Sequence, residues 1–229
     1  MHYLYVKKTS RSQTFAIKQK LLSVIFVLIG LVLIGSATIP IFFYQFFVSP
    51  SFPKVIKPIP EEEVLGEQEE VDYTQVSNWF PEAPKPTPWP SKITHYTLSV
   101  PKLKISDAIV QIGGEDLKKS LIQYEGTAFP GQFGNTVIFG HSVLPQFFNP
   151  KNYLTIFSTL PTLKPKDEII VDFDGVRYKY VILEMIEVSP SDISILEQRY
   201  DDSYLTLITC VPPGTYLHRL AVKAKLSKI

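Results

Sequence analysis

From Leu21 to Pro50 the chain carries no charged side chain, and that run constrains the fold more than any other feature. Its first nineteen residues, Leu21 to Ile39, are interrupted only by small or hydroxylated residues. A helix of about 20 residues rising 1.5 Å each spans a hydrocarbon core of roughly 30 Å, so the run is long enough to cross a bilayer. Lys7, Lys8, Arg11, Lys18 and Lys20 precede it, with no Asp or Glu among the first twenty residues. The positive-inside tendency then keeps the N-terminus in the cytoplasm and puts everything after residue 50 outside. A cleaved signal peptide shares the basic flank and apolar stretch, but the run is long for one and no A-x-A site follows it. The reading is a single-pass anchor in the cell membrane: residues 1–20 cytoplasmic, 21–48 transmembrane. Phe42, Phe43, Tyr44, Phe46 and Phe47 are expected at the outer interface, where aromatic rings settle.

The remaining length accommodates one domain with attached segments. A formal net charge of +1 argues against a nucleic-acid footprint, and the 45% apolar content argues against wholesale disorder. Residues 49–91 read as a stalk. Between residues 50 and 90 lie nine of the nineteen prolines, together with Glu61, Glu62, Glu63, Glu67, Glu69, Glu70 and Asp72, a composition that favours an extended, self-repelling spacer. Trp79 and Trp89 are unusual in a pure linker, and either is expected to fold back as a lid.

Residues 92–229 read as the folded domain. Tyr96 to Val100, Ala108 to Ile112, Thr136 to Phe139, Glu168 to Phe173, Arg177 to Glu187, Tyr204 to Thr209 and Leu220 to Leu226 are rich in β-branched and aromatic residues. Seven or eight short strands in this length predict a mainly β fold, a closed or nearly closed barrel dominated by antiparallel pairs. Short helices are expected at Asp116 to Leu121 and Ile193 to Gln198, and a hairpin turn at Asp172-Phe173-Asp174-Gly175.

Cys210 is the single cysteine, so no internal disulfide can form and the thiol is either inert and buried or reactive. It ends a β run that Pro212-Pro213-Gly214 stops at once, which places it at a strand mouth. Arg219 starts the next run, and a hairpin returns it beside the strand it left. Its permanent charge and fixed fork of donors suit a thiolate or an oxyanion. His141 ends another β run and supplies a group that titrates near neutral pH for proton transfer. His2 falls in the cytoplasm, His95 at the stalk boundary, and His218 should face away if its neighbour Arg219 faces the site.

Thr206-Leu207-Ile208-Thr209-Cys210 resembles the TLxTC motif of the sortases, Arg219 matches the family arginine nine positions on, and Asn135 to His141 is similar to the family's NxVIxGH strand. The resemblance covers about residues 96 to 226. It implies an eight-stranded sortase barrel and a cysteine transpeptidase in which Cys210 attacks the Thr–Gly bond of an LPxTG-like sorting signal. His141 would act as general acid and base, and Arg219 would hold the oxyanion or the substrate. It further implies a part for Thr209 in substrate or oxyanion binding and a signal-reading loop at 186–203, with Ile193, Ile195 and Leu196 as its apolar wall. The implied partners are surface proteins bearing a C-terminal sorting signal, an amine acceptor of the cell wall or a pilin lysine, and the membrane. No cofactor is implied.

The Pro-Gly turn and His-Arg-Leu ending look like pilin-polymerising, class C enzymes, but no second apolar segment follows before Ile229. Their Asp-Pro-aromatic lid motif has only Thr87-Pro88-Trp89 as a counterpart, without the Asp. HExxH, paired-cysteine, P-loop and GxGxxG patterns are absent, as is the serine-histidine-glycine-cysteine signature of L,D-transpeptidases. The non-enzymatic alternative is a tethered barrel that binds a surface ligand with a spent site.

Overall fold

The computed structural model describes residues 11–53, 71–81, 83 and 92–227. The chain divides into two units, residues 1–40 and 41–229. Most of the helix α1 (Arg11–Phe43) lies in the first. With its C-terminal continuation it is long and apolar enough to cross a membrane.

The second unit is a closed eight-stranded barrel. Its strands are β1 (His95–Val100), β2 (Ile105–Ile112), β3 (Leu121–Gln123), β4 (Gly134–Phe139), β5 (Glu168–Phe173), β6 (Val176–Val188), β7 (Ser203–Val211) and β8 (His218–Leu226). Around the barrel they run β1-β2-β3-β4-β7-β8-β6-β5, and β5 closes on β1. Six contacts are antiparallel, but β2/β3 and β4/β7 are parallel. The barrel is therefore mixed, and β4 and β7 point the same way and end together at one rim. That shared end makes the site.

The β5–β6 hairpin turns at Asp174-Gly175, both at positive φ, as a two-residue primed turn requires. Two sequence expectations fail locally. Asp116 to Leu121 is not a helix: Asp116 accepts from the Lys118 backbone N–H in a side-chain-closed turn, and Leu121 already opens β3. With three residues, β3 is too short to show alternation. Ile193 to Gln198 shortens to a 3₁₀ turn over Ile193–Leu196, capped by Asp192, which accepts from the Ser194 N–H.

Two apolar clusters explain why β4 and β7 are buried on both faces. Leu205, Leu207 and Val211 of β7 point into the barrel with Leu98, Val110, Ile138 and Val222. Ile208 and Cys210 point outward with Val137, Phe139, Ile122 and Ala221. The outer cluster is covered by Val76, Trp79 and Phe80, so residues 71–81, expected to be free stalk, are packed as part of the domain. Their apolar residues outweigh the acidic composition that suggested a spacer. Trp89 and Glu61 to Glu70 lie outside the described residues.

At the start of this unit, Phe42, Phe43, Phe46 and Phe47 are exposed. Tyr44 is not: it is buried against the barrel and donates its phenol to Glu187 Oε2 at 3.0 Å.

Candidate active site

β4 and β7 pair in register up to Phe139 and Ile208. Beyond that point three bonds keep the strand ends together. Gly140 N–H donates to Ile208 O (3.1 Å), the Thr209 hydroxyl to Gly140 O (2.9 Å), and the Ser142 hydroxyl to Cys210 O (2.8 Å). The chain can turn inward here because residue 140 is glycine: a Cβ would lie 2.2 Å from the Phe157 ring and 2.7 Å from Leu121. His141 and Cys210 thus leave neighbouring strand ends. On the other side, Cys210 stands directly opposite Arg219 in the β7/β8 ladder.

His141 is 5% exposed, and its Nδ1 lies 2.8 Å from Leu154 O. A carbonyl only accepts, so Nδ1 carries the proton and Nε2 is left as the reactive nitrogen. Burial pushes this imidazole below its ordinary range, partly opposed by the Leu154 bond. Cys210 is 1% exposed, and burial pushes its thiol up to about 11 against the lowering influence of Arg219. Both groups are therefore neutral at neutral pH in this closed arrangement.

Arg219 is fully buried. Its guanidinium carbon lies 5.4 Å from the Trp79 ring, 5.6 Å from Tyr73 and 5.9 Å from Phe80. Nη1 donates to Tyr216 O (2.9 Å) and His218 O (3.2 Å), and Nη2 to Trp79 O (3.2 Å). Nε has no hydrogen-bond partner among the described residues. The covering segment is held at both ends. Val76 N–H donates to Glu115 O and Leu117 N–H to Thr74 O, while Trp79 meets Phe139 edge-on at 5.4 Å and Tyr73 stacks on Tyr216 at 4.2 Å.

This segment packs on the outer cluster that holds the thiol, and we propose that it acts as a lid. Deleting residues 72–83 is expected to speed alkylation of Cys210 at pH 8 by about tenfold or more, because the closed site reacts only through local opening. The inflection in the rate against pH should also move down from about 11, since the burial that raises it is removed. An unchanged rate and inflection would show that the segment does not shield the thiol.

The residues singled out in the sequence fall into two groups. Cys210 and Arg219 stand opposite each other, with His141 next to the Ser142 that bonds Cys210 O; Ile195 is buried in the outer cluster that also holds Cys210, with Ile193 and Leu196 packed against it. Thr209 does not join them: it is fully buried, faces the opposite side of β7 from Cys210, and its hydroxyl is engaged by Gly140 O. His218 lies away from the thiol, its Nε2 4.0 Å from Glu187 Oε1. Sequence reasoning missed Ser142, Tyr73, Phe80 and Tyr216. Only Ser142, adjacent to the histidine, carried a positional signal.

The site thus sets a cysteine opposite an arginine at the end of β7, with a histidine at the adjoining end of β4, on a closed mixed β-barrel. The chain matches the Sortase domain family model over residues 98–227 and belongs to the sortase family. Among solved structures it is similar to a Sortase D5 transpeptidase from Clostridium perfringens, at 28% identity over 59% of this chain and 79% of that one, with a TM-score of 0.51. A lid mutant of sortase A from Corynebacterium diphtheriae is 27% identical, with 61% of this chain and 73% of that one covered and a TM-score of 0.52. Sortase C-1 from Actinomyces oris is 25% identical, with 58% and 72% covered and a TM-score of 0.52. No curated protein sequence matches.

Proposed function

We propose that this sortase cleaves an LPxTG-like sorting signal through an acyl-thioester on Cys210 and transfers the protein to an amine, either a cell-wall precursor or a pilin lysine. The observation that carries this reading is the placement of Cys210 across from Arg219 at the end of β7, with the His141 strand end tied to it by the Ser142 and Thr209 hydroxyls.

His141 Nε2 takes the proton of the Cys210 thiol, and the resulting thiolate sulfur attacks the threonine carbonyl carbon. The C–N bond to glycine then breaks, and the proton held at His141 Nε2 passes to the leaving amine. An acceptor amine next gives its proton to Nε2 and attacks the thioester carbonyl, and the sulfur leaves as thiolate. Arg219 donates to the carbonyl oxygen as charge develops on it. In the closed structure one of those donors is held by Trp79 O, so the lid is a resting state that must move before substrate binds. Ile193, Ile195 and Leu196 form the apolar wall for the signal. Thr209 acts by holding the Gly140 turn.

Incubating the protein with peptides varied at each position of the motif, together with an amine, tests the reading. Threonine-linked amide product is expected only from LPxTG-like peptides, and turnover of unrelated peptides at equal rate would overturn it. We further propose that α1 is a single-pass anchor with its N-terminus cytoplasmic and the barrel outside. Protease added to intact protoplasts should then remove the barrel, and a protected barrel would contradict this orientation.

A further inference from the structure

The backbone of β4 is paired with β7 along its whole length, but on its other side β3 covers only Ile138 and Phe139. At Asn135, near the opposite end, that side would leave one N–H and one C=O open. The side chain of Gln198 fills the gap as a strand would. Its Oε1 accepts from Asn135 N–H at 2.9 Å, and its Nε2 donates to Asn135 O at 2.9 Å. One carboxamide thereby reproduces both bonds that a peptide group in a neighbouring strand would make.

The same amide ties in the loop between β6 and β7. Nε2 also donates to Leu196 O (3.3 Å), and Oε1 also accepts from Ala128 N–H (3.3 Å). The Asn135 side chain completes the grip: Nδ2 donates to Ile195 O (3.3 Å), while Oδ1 accepts from the Thr206 hydroxyl (2.8 Å). Two successive carbonyls of the apolar wall, at Ile195 and Leu196, are therefore fixed by side chains anchored in β4 and β7. Ile195 itself is 2% exposed, in the same cluster as Cys210.

We propose that Gln198 is a positioning residue for substrate specificity: its carboxamide serves as a missing strand on β4 and holds the Ile193–Leu196 wall in place before the sorting signal arrives. This rests on the reading of that wall as the surface for the signal's apolar residue. Ordering the loop in advance removes an entropic cost from binding, so the effect belongs in KM and in discrimination between apolar residues, not in bond cleavage.

The test is Gln198→Glu in the full chain. The carboxylate retains the acceptor for Asn135 N–H but cannot donate to Asn135 O or Leu196 O, and sets a charge against both carbonyls. Hydrogen exchange at residues 193–198 should rise by about tenfold while exchange in β7 and β8 is unchanged. That readout does not depend on turnover, so it stands even if the proposed peptide is not the substrate. With an LPxTG-like peptide, KM should rise and the preference for Leu over Ala at the first position should shrink, with kcat held within about twofold. Gln198→Ala, which removes the bonds without adding charge, should give the same pattern. Unchanged exchange in the loop would overturn the proposal, and so would a loss confined to kcat with KM and selectivity retained.

Discussion

Cys210→Ala is expected to leave no measurable transpeptidation and a folded barrel. The thiol sits fully buried in the outer cluster and not at an open strand mouth, so its loss leaves a small cavity costing about 1 kcal/mol. A loss of that size leaves the barrel folded but shifts its melting temperature measurably. The chemical loss is of a different order, because no other cysteine exists in the chain to form a thioester. His141→Ala should reduce turnover by at least about 10²-fold, the scale of a lost proton-transfer group. Folding is preserved there too if the Leu154 carbonyl, which accepts from Nδ1, is reached by water in the variant.

Arg219→Lys gives the second large effect, and in two opposite directions. Lysine keeps the charge but not the planar fork, which now donates to three carbonyls and lies among three aromatic rings. Turnover should fall by about 10²-fold, the scale of one lost oxyanion donor. Cys210 alkylation should nevertheless become faster, because the lid loses both its hydrogen bond at Trp79 O and its flat cationic partner. Slow turnover with slow alkylation would mean that Arg219 holds the site but not the lid. Normal turnover would remove Arg219 from the chemistry.

Much of this was legible in the sequence because the strands that carry the site are local patterns. Glu168–Phe173 reads directly as β5, and β7 reads from its run of β-branched residues into the Pro-Pro-Gly stop. The positions of His141, Cys210 and Arg219 follow from strand ends and a hairpin. What the sequence could not give depends on packing between distant segments. The parallel pairing of β4 with β7 follows from barrel closure and not from either strand's composition. The outward face of Cys210 and the inward face of Thr209 follow from which surface the lid covers, and no local period reveals that when both faces are apolar. Proline and acid content pointed to a spacer throughout 49–91, yet Val76, Trp79 and Phe80 bury enough apolar surface to fold their part of it. The Gln198 bridge is a contact between residues 63 positions apart, joining side chain to backbone, and carries no spacing signature.

Cys210 is expected to become covalently acylated by the substrate. Intact mass and peptide mapping after incubation with an LPxTG-like peptide, without an amine acceptor, test it directly. The wild-type protein should gain the mass of the peptide up to its threonine, mapped to the fragment containing Cys210 and released by hydroxylamine. Cys210→Ala should gain nothing and cleave nothing. Cleavage by Cys210→Ala at near wild-type rate, or an adduct on any other residue, would contradict the account.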